Sequence, residues 1–237
     1  MSNPFFQFKQ FTIHQDKCAM KVGTDGVLLG AWINVSDAET ALDIGTGTGL
    51  IALMTAQRNE NLKIDAIDIE SDTVEQAKEN IRGTTFAPRI NCLNISLQEL
   101  SQKYNRKYDL IVSNPPYFIH SLKSPDPGRT QARHTDSLTV DELIIISSRL
   151  LSAKGRLSVI YPFGYKETLL KLAKENGLYI TRITNVYPTP TSLPKRILIE
   201  LSKSEVPYKE DNLIIEKERH IYTTEFTELV KDFYLKM

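Results

Sequence analysis

From Ala41 onward the chain alternates short apolar runs with helical patterns: ALDI, a glycine-rich turn leading into LIALMTAQR, then KIDAIDI, SDTVEQAKENI and RINCLNI. This is a βαβαβ order, and it implies a parallel sheet. The alternation continues through YDLIVS, a polar loop from Asn114 to about Ser137, the helical stretch LTVDELIIISSRLL and the strand GRLSVIYP. Five parallel strands are therefore expected, with the long loop as a natural place for function. After Gly177 the runs LYITRITNVYP and RILIELSK flank the turn-rich PTPTSLP and read as an antiparallel hairpin at a sheet edge. The expectation is an α/β fold with a seven-stranded, mostly parallel sheet and a C-terminal antiparallel hairpin.

Helix boundaries carry their own signals. Ser71 and Asp72 can cap VEQAKENI, and Gly155 and Gly177 follow helical stretches where a left-handed C-cap is useful. TDGVLLGAW at 24–32 reads as a helix with Thr24 as N-cap and Asp25 near the positive end of its dipole. The tail 205–237 holds a charged linker, the apolar run LIIE, and TEFTELVKDFYLK, whose Phe226, Leu229, Val230 and Phe233 have helical spacing. The domain expectation is one domain over 1–237: an extension with a helix over 1–40, a core over 41–203, and a second extension with a closing helix over 204–237.

A chain of 237 residues with 41% hydrophobic and 24% charged residues is long enough for a sizeable core and is not disordered by composition. Lys+Arg 29 balances Asp+Glu 29, so nucleic acid could be held only by a local basic face. Cys18 and Cys92 are too isolated for a zinc site or a disulfide framework. No metal and no obligate protein partner are expected. Met1 to Gln10 lacks the apolar run of a secretory signal and no segment reaches the length of a membrane span, so the expected location is the cytoplasm.

Asp43-Ile44-Gly45-Thr46-Gly47-Thr48-Gly49 lies between an apolar strand and a helix, where the backbone must turn sharply and leave room for a ligand. Asp68 ends the next strand, at the tip where open α/β sheets bind ligands, and a carboxylate there can accept bonds from both hydroxyls of a ribose. Ile69 follows it. Ser96 and Leu97, after the third strand, either offer a polar edge and an apolar face to an adenine ring or, in the case of Ser96, cap the next helix.

Asn114-Pro115-Pro116-Tyr117 stands directly after YDLIVS, at the same edge of the sheet. Two prolines stiffen the loop, the Asn114 side chain and the Pro115 backbone each offer a carbonyl acceptor, and Tyr117 offers a flat face for stacking. Those parts suit a planar exocyclic NH2. Its delocalised lone pair makes it a poor nucleophile, and two acceptors aimed at its N–H groups favour pyramidalisation and disperse the charge developing on nitrogen.

DIGTGTG, the acid in AIDIE, and SNPPY resemble class I S-adenosylmethionine-dependent methyltransferases acting on nitrogen, and FKQFTIHQDKCAMKVGTDGVLLGAW at 8–32 resembles the opening of the bacterial tRNA1(Val) adenine-37 N6-methyltransferases. RTQARHTDSLTVDELI and LPKRILIEL extend the similarity over nearly the whole chain. The resemblance implies a Rossmann-like core, S-adenosylmethionine as donor, and the adenine beside a tRNA anticodon as acceptor. It also implies that Asp43, Gly45, Gly47 and Gly49 form the cofactor turn, Asp68 binds ribose, Lys21, Thr24 and Asp25 line the methionine end, and Asn114 to Tyr117 hold the base. Ser96 departs from the acid often found at its position in relatives.

Release-factor glutamine methyltransferases use the same NPPY but carry a helical N-terminal domain, for which about forty residues leave no room. Guanine-N2 methyltransferases of ribosomal RNA usually carry a second, degenerate domain, and a non-catalytic RNA or cofactor binder would have no need of an intact NPPY loop. An adenine splayed from an anticodon loop can stack on Tyr117. Candidate phosphate contacts are Lys123, Arg129, Arg133 and His134 in the long loop, with His134 better read as structural, together with Lys195 and Arg196 in the hairpin.

Overall fold

Along the central strands successive side chains enter opposite layers, as the two-residue repeat of a pleated strand requires. Ala41, Ile64, Ala66, Leu110 and Val112 fill one core, and Leu42, Ile44, Ile67 and Ile111 fill the other. Both faces are apolar because both are covered by helices, which is why these strands read as nearly continuous hydrophobic runs. The computed structural model describes residues 3–18, 20–116 and 138–236.

The elements are β1 (Phe5–Gln7), β2 (Thr12–His14), α1 (Thr24–Trp32), β3 (Thr40–Ile44), α2 (Leu50–Arg58), β4 (Lys63–Asp68), α3 (Ser71–Arg82), β5 (Ile90–Asn94), α4 (Leu97–Lys103), β6 (Tyr108–Ser113) and α5 (Val140–Leu150). They continue as β7 (Leu151–Pro162), α6 (Lys166–Glu175), β8 (Tyr179–Tyr187), β9 (Arg196–Ser202), β10 (Lys209–Ile214), β11 (Glu216–Glu218), β12 (Ile221–Tyr222) and α7 (Thr224–Val230). The main sheet has eight strands in the order β10-β8-β9-β7-β6-β3-β4-β5. From β5 to β7 all pairings are parallel, β9 runs antiparallel to both β7 and β8, and β10 is parallel to β8. The chain winds outward in both directions from β3, so the crevice between the tips of β3 and β6 is the topological switch point.

The five parallel strands and the late antiparallel hairpin are as expected; the strand total is not. The eighth strand, β10, comes from the stretch KEDNLI, which runs from the charged linker into the start of the apolar run LIIE. Only its Leu213 is buried, and beside the parallel ladder to β8 side-chain hydrogen bonds hold its polar residues: the Thr184 hydroxyl donates to Asp211, and Asn185 Nδ2 donates to Glu210 (2.9 Å) and Asn212 (3.1 Å). An edge strand fixed by polar contacts leaves no apolar alternation to read.

Three capping expectations are corrected. The residue before α1 is Gly23, already extended, so Thr24 lies inside the helix and makes no cap bond. Glu70 occupies the corresponding position before α3, which places Ser71 and Asp72 in its first turn, where Asp72 still complements the dipole. Gly155 lies within β7 and closes no helix; a Cβ there would stand 2.6 Å from the Tyr108 carbonyl oxygen, so it permits close approach to β6. Gly177 does end α6, with φ +66°.

The closing helix is shorter than its apolar spacing suggests. It stops at Val230; Phe226, Val230 and Phe233 are buried and Leu229 is half-buried. It packs against α1. The two ends of the chain meet there: the Lys9 N–H donates to the Phe233 carbonyl (2.8 Å), and the rings of Phe6 and Phe8 lie 5.8 and 5.9 Å from that of Tyr234.

Candidate active site

The turn after β3 takes its shape from three left-handed glycines, Gly45 (φ +68°), Gly47 (φ +58°) and Gly49 (φ +82°). An L side chain is strained in that region. A Cβ on Gly45 or Gly47 would project into open space, so these two keep a clearing above the turn, whereas a Cβ on Gly49 would stand 3.6 Å from Ala77 and Ile81 of α3, in ordinary packing contact. The N–H groups of Gly45 and Thr46 both donate to the Ile67 carbonyl at 2.9 Å, locking the turn to the tip of β4.

Gly49 caps α2 without a side chain, and Asp43 supplies what is missing. Its Oδ2 accepts from the Ala52 N–H at the third helical position (3.2 Å) and from the Thr46 hydroxyl (2.7 Å). Its Oδ1 is buried and has no hydrogen-bond partner among the described residues. Burial pushes the Asp43 carboxyl up to about 7; the Thr46 hydroxyl and the Ala52 N–H pull it down, and the negative charge of Asp68 pushes it up. An orphaned acceptor beneath a glycine-lined clearing is a site that a donor-bearing ligand would complete.

Asp68 ends β4 and accepts from the Gly47 N–H (3.0 Å) and the Glu70 N–H (3.1 Å). Ile69 beside it is 50% exposed, an apolar surface at the sheet edge. Asn94 at the end of β5 clamps this corner, donating to the backbone carbonyls of Asp68 (3.0 Å) and Ile69 (2.9 Å). Nothing in the sequence singles Asn94 out except its place at a strand tip. Of the two readings of Ser96, the structure has the cap: its hydroxyl accepts from the Glu99 N–H at 3.1 Å, and Glu99 answers in a capping box on α4. Leu97, expected to present an apolar face to adenine, turns inward and is buried in the core under α4.

On the other wall of the crevice, the Ser113 hydroxyl donates to the Ile44 carbonyl (2.9 Å) and ties the tip of β6 to that of β3. Asn114 follows, half-buried, with Pro115 buried and Pro116 exposed. A Cβ on Gly26 would stand 3.7 Å from Asn114 Nδ2 and 3.1 Å from Leu50 Cδ2, so the first turn of α1 packs directly on the Asn114 side chain. Tyr117, Lys123, Arg129, Arg133 and His134 lie outside the described residues.

Lys21 and Thr24 are exposed on the segment leading into α1. That segment is held by amides that sequence reasoning passed over. Asn80 exchanges hydrogen bonds with the His14 backbone and donates to the Thr48 carbonyl, all at 2.9 Å, and Gln76 accepts from the Lys17 N–H at 3.1 Å. Two buried amides on the helix facing the glycine turn are their only sequence signal.

Asp25 and Arg196, expected on the cofactor and on RNA respectively, are joined to each other: Arg196 Nε donates to Asp25 Oδ2 at 2.7 Å. The bridge reaches from the start of β9 to the turn of α1 that rests on Asn114. Arg196 is thus tied to α1, and the sequence gives no hint of the pairing because 171 positions separate the partners. Lys195 is exposed on the adjoining loop.

The pattern of the Methyltransferase small domain matches residues 18–175. A tRNA1(Val) (adenine(37)-N6)-methyltransferase of Parabacteroides distasonis is 54% identical over 238 aligned positions, covering 100% of both chains. One of Trichodesmium erythraeum is 50% identical over 98% of each. The chain belongs to the tRNA1(Val) (adenine(37)-N6)-methyltransferase family. Solved structures share its fold at low identity. A predicted O-methyltransferase of Agrobacterium tumefaciens superposes with a TM-score of 0.69 at 18% identity, covering 88% of this chain and 96% of that one. A ribosomal protein L11 methylase of Lactobacillus delbrueckii subsp. bulgaricus gives 0.58 at 18%, covering 80% and 83%. Members of this family are class I methyltransferases, and S-adenosylmethionine is the methyl donor. The site fits that group: an open glycine turn, an orphaned buried acceptor on Asp43, and a carboxylate with an exposed apolar neighbour at Asp68 and Ile69.

Proposed function

We propose that this chain transfers a methyl group from S-adenosylmethionine to N6 of adenine 37 in tRNA1(Val), with Asn114 and Pro115 holding the acceptor nitrogen. The observation that carries the reading is the adjacency of the glycine turn to Asn114, at the tips of neighbouring parallel strands paired through Ile44 and Ser113. Asp43, Gly45, Gly47, Asp68 and Ile69 bind the donor, with Lys21 and Thr24 at its methionine end.

When bound, S-adenosylmethionine supplies an electrophilic methyl on a sulfonium centre. The Asn114 side-chain carbonyl and the Pro115 backbone carbonyl accept bonds from the N6 hydrogens and so raise the nucleophilicity of nitrogen as it loses conjugation. Tyr117 stacks on the purine, and the loop prolines restrict the motion of these groups, which keeps the nitrogen at attack distance. With the donor bound, Asn114 and Pro115 would hold N6 toward its methyl group and would keep hold of the N6 hydrogens until the surplus one is lost as a proton. Positioning supplies the acceleration, and His134 is not needed as a base. Lys195 and the loop cations Lys123, Arg129 and Arg133 contact RNA phosphates, and the reaction takes place in the cytoplasm. No described helix is long and apolar enough to cross a membrane.

Labelled S-adenosylmethionine is to be incubated with unmodified tRNA, with a release factor and with ribosomal RNA in parallel, and the products digested to nucleosides. N6-methyladenosine in tRNA at position 37 is the expected product. Label in the release factor or the ribosomal RNA instead would overturn the substrate, and no label in any arm would overturn the activity.

A further inference from the structure

The two short strands β11 and β12 form a hairpin that projects from the same edge of the molecule as the active site. β10 ends at Ile214 opposite Tyr187 of β8, and Val186 of β8 lies opposite Arg196, which itself lies opposite Pro162 at the C-terminal tip of β7. The tips of β6, β7, β8 and β10 and the start of β9 therefore share one edge. From β6, which leads into Asn114, β8 is three strand positions away and β10 four. At ~4.8 Å per strand this places the hairpin's root ~14–19 Å from the target-base site.

The base of the hairpin is rigid. The Ile215 N–H donates to the Tyr187 carbonyl (2.9 Å) and the Glu216 N–H to the Pro188 carbonyl (3.0 Å), carrying the β10–β8 ladder onto the loop that holds Lys195. Thr223 closes the other side, its N–H donating to Ile215 (3.0 Å) and its hydroxyl to Ile214, while the same hydroxyl accepts from the Phe226 N–H to cap α7. The Tyr222 ring lies 5.0 Å from the buried ring of Phe226. At the tip His220 adopts φ +66°, the single non-glycine residue with positive φ among those described. Such a conformation is strained and persists where surrounding structure enforces it.

What this frame presents is exposed: Lys217, Glu218, Arg219, His220, Ile221 (54%) and Tyr222 (42%), as are Leu193 (79%) and Lys195 of the loop to which its base is bonded. Cations together with an aromatic ring at a catalytic edge are the surface that a structured RNA meets, the cations on phosphate and the ring on sugar or base. The whole hairpin also lies beyond residue 175, where the shared methyltransferase pattern ends.

We propose that the β11–β12 hairpin is a second tRNA contact, in which Lys217 and Arg219 engage backbone phosphates away from the methylated base. At roughly 3.4 Å of axis per nucleotide of a stacked strand, ~14–19 Å corresponds to about four to six nucleotides from the base held at Asn114. The hairpin acts as a ruler that admits an RNA whose paired stem stands at that distance. Glu216 and Glu218 flank Lys217, so the element creates no broad positive field and works through discrete contacts. Glu218, exposed beside Arg219, opposes phosphate and selects against misplaced backbone. The inference rests on the tRNA reading above.

The test measures binding of unmodified tRNA1(Val) transcript at several salt concentrations for the wild type, Lys217→Ala/Arg219→Ala and Glu218→Gln, with melting temperature and S-adenosylmethionine affinity as checks of folding. The double variant is expected to bind about tenfold more weakly and to lose ~2 from the salt slope, ~1 per phosphate contact. Glu218→Gln is expected to bind more tightly, a sign that a merely structural role does not produce. Wild-type affinity and slope in the double variant would overturn the hairpin contact while leaving tRNA methylation standing. Failure of the wild type itself to bind and methylate tRNA would remove the underlying reading too. Should the double variant not fold, Glu218→Gln decides alone, and unchanged or weaker binding would count against the proposal.

Discussion

The two halves of the catalytic edge are built in different ways. At the tips of β3 and β4 the working parts are backbone amides, left-handed glycines and carboxylates set into the fold: Asp43 is 1% exposed, and Asp68 is bonded to two backbone N–H groups. Beyond the tips of β8 and β10, at the start of β9 and in the β11–β12 hairpin, the proposed RNA contacts are long side chains at the surface, Lys195, Lys217 and Arg219, while Arg196 is paired with Asp25. A small cofactor can be enclosed by main chain, whose conformation demands particular residues. A large polyanion is met by side chains on elements whose own folding hardly depends on them.

The sharpest way to break this division is at Asn114, which stands between the halves. Asn114→Ala should lower turnover by roughly 10²–10³-fold, the usual cost of removing one transition-state hydrogen-bonding group. S-adenosylmethionine affinity by calorimetry should stay within about twofold of the wild type, since this contact belongs to the acceptor. Near-normal turnover in this variant would remove Asn114 from the chemistry.

The next effects belong to the cofactor half. Asp68→Asn should weaken S-adenosylmethionine binding about tenfold to a hundredfold, as for loss of charge-assisted hydrogen bonds of ~1.5–3 kcal/mol. Gly47→Ala places a side chain at φ +58°, costing ~1–2 kcal/mol of stability before any loss of cofactor. Neither substitution should change the salt dependence of tRNA binding, and a changed salt slope in either would erase the distinction between the two halves.

Asp43 predicts a dependence on pH. Its folded-state carboxyl, pushed up to about 7 by burial, binds its proton more tightly than the same group in the unfolded chain, at ~3.9. The folded state therefore holds the extra proton between these values, and stability should fall as pH rises through that window and level off above it. Asp43→Asn should flatten this part of the profile, read as melting temperature from pH 4 to 8, and saturating S-adenosylmethionine should reduce the slope by giving Oδ1 a donor. A wild-type profile unaffected by either change would show that the carboxyl is not the titrating group.

The smallest effect concerns the bridge between the halves. The Asp25–Arg196 pair is partly solvated, so a double-mutant cycle on stability should give a coupling of only ~0.5–1 kcal/mol. Its larger signature should be kinetic, since the same turn of α1 rests on Asn114. Arg196→Ala should lower kcat, whereas Lys195→Ala should mainly raise KM for tRNA and reduce the salt slope by ~1. Equal kcat effects from the two would assign Arg196 to phosphate after all.

The alternation from β3 to β7, the parallel core, the glycine turn, and Asp68 and Asn114 at the tips of their strands were legible in the sequence, because each depends on local requirements: strand and helix periodicity, positive φ, and a strand tip followed by stiff residues. β10 was not legible, since its polar residues are held by Thr184 and Asn185 from a strand more than twenty positions earlier. The Asp25–Arg196 bridge, the Asn80 and Asn94 clamps and the inward turn of Leu97 were decided by tertiary structure for the same reason. Periodicity and backbone conformation are properties of neighbouring residues, whereas the partner of a charged or amide side chain is set by which strand tips the sheet brings together.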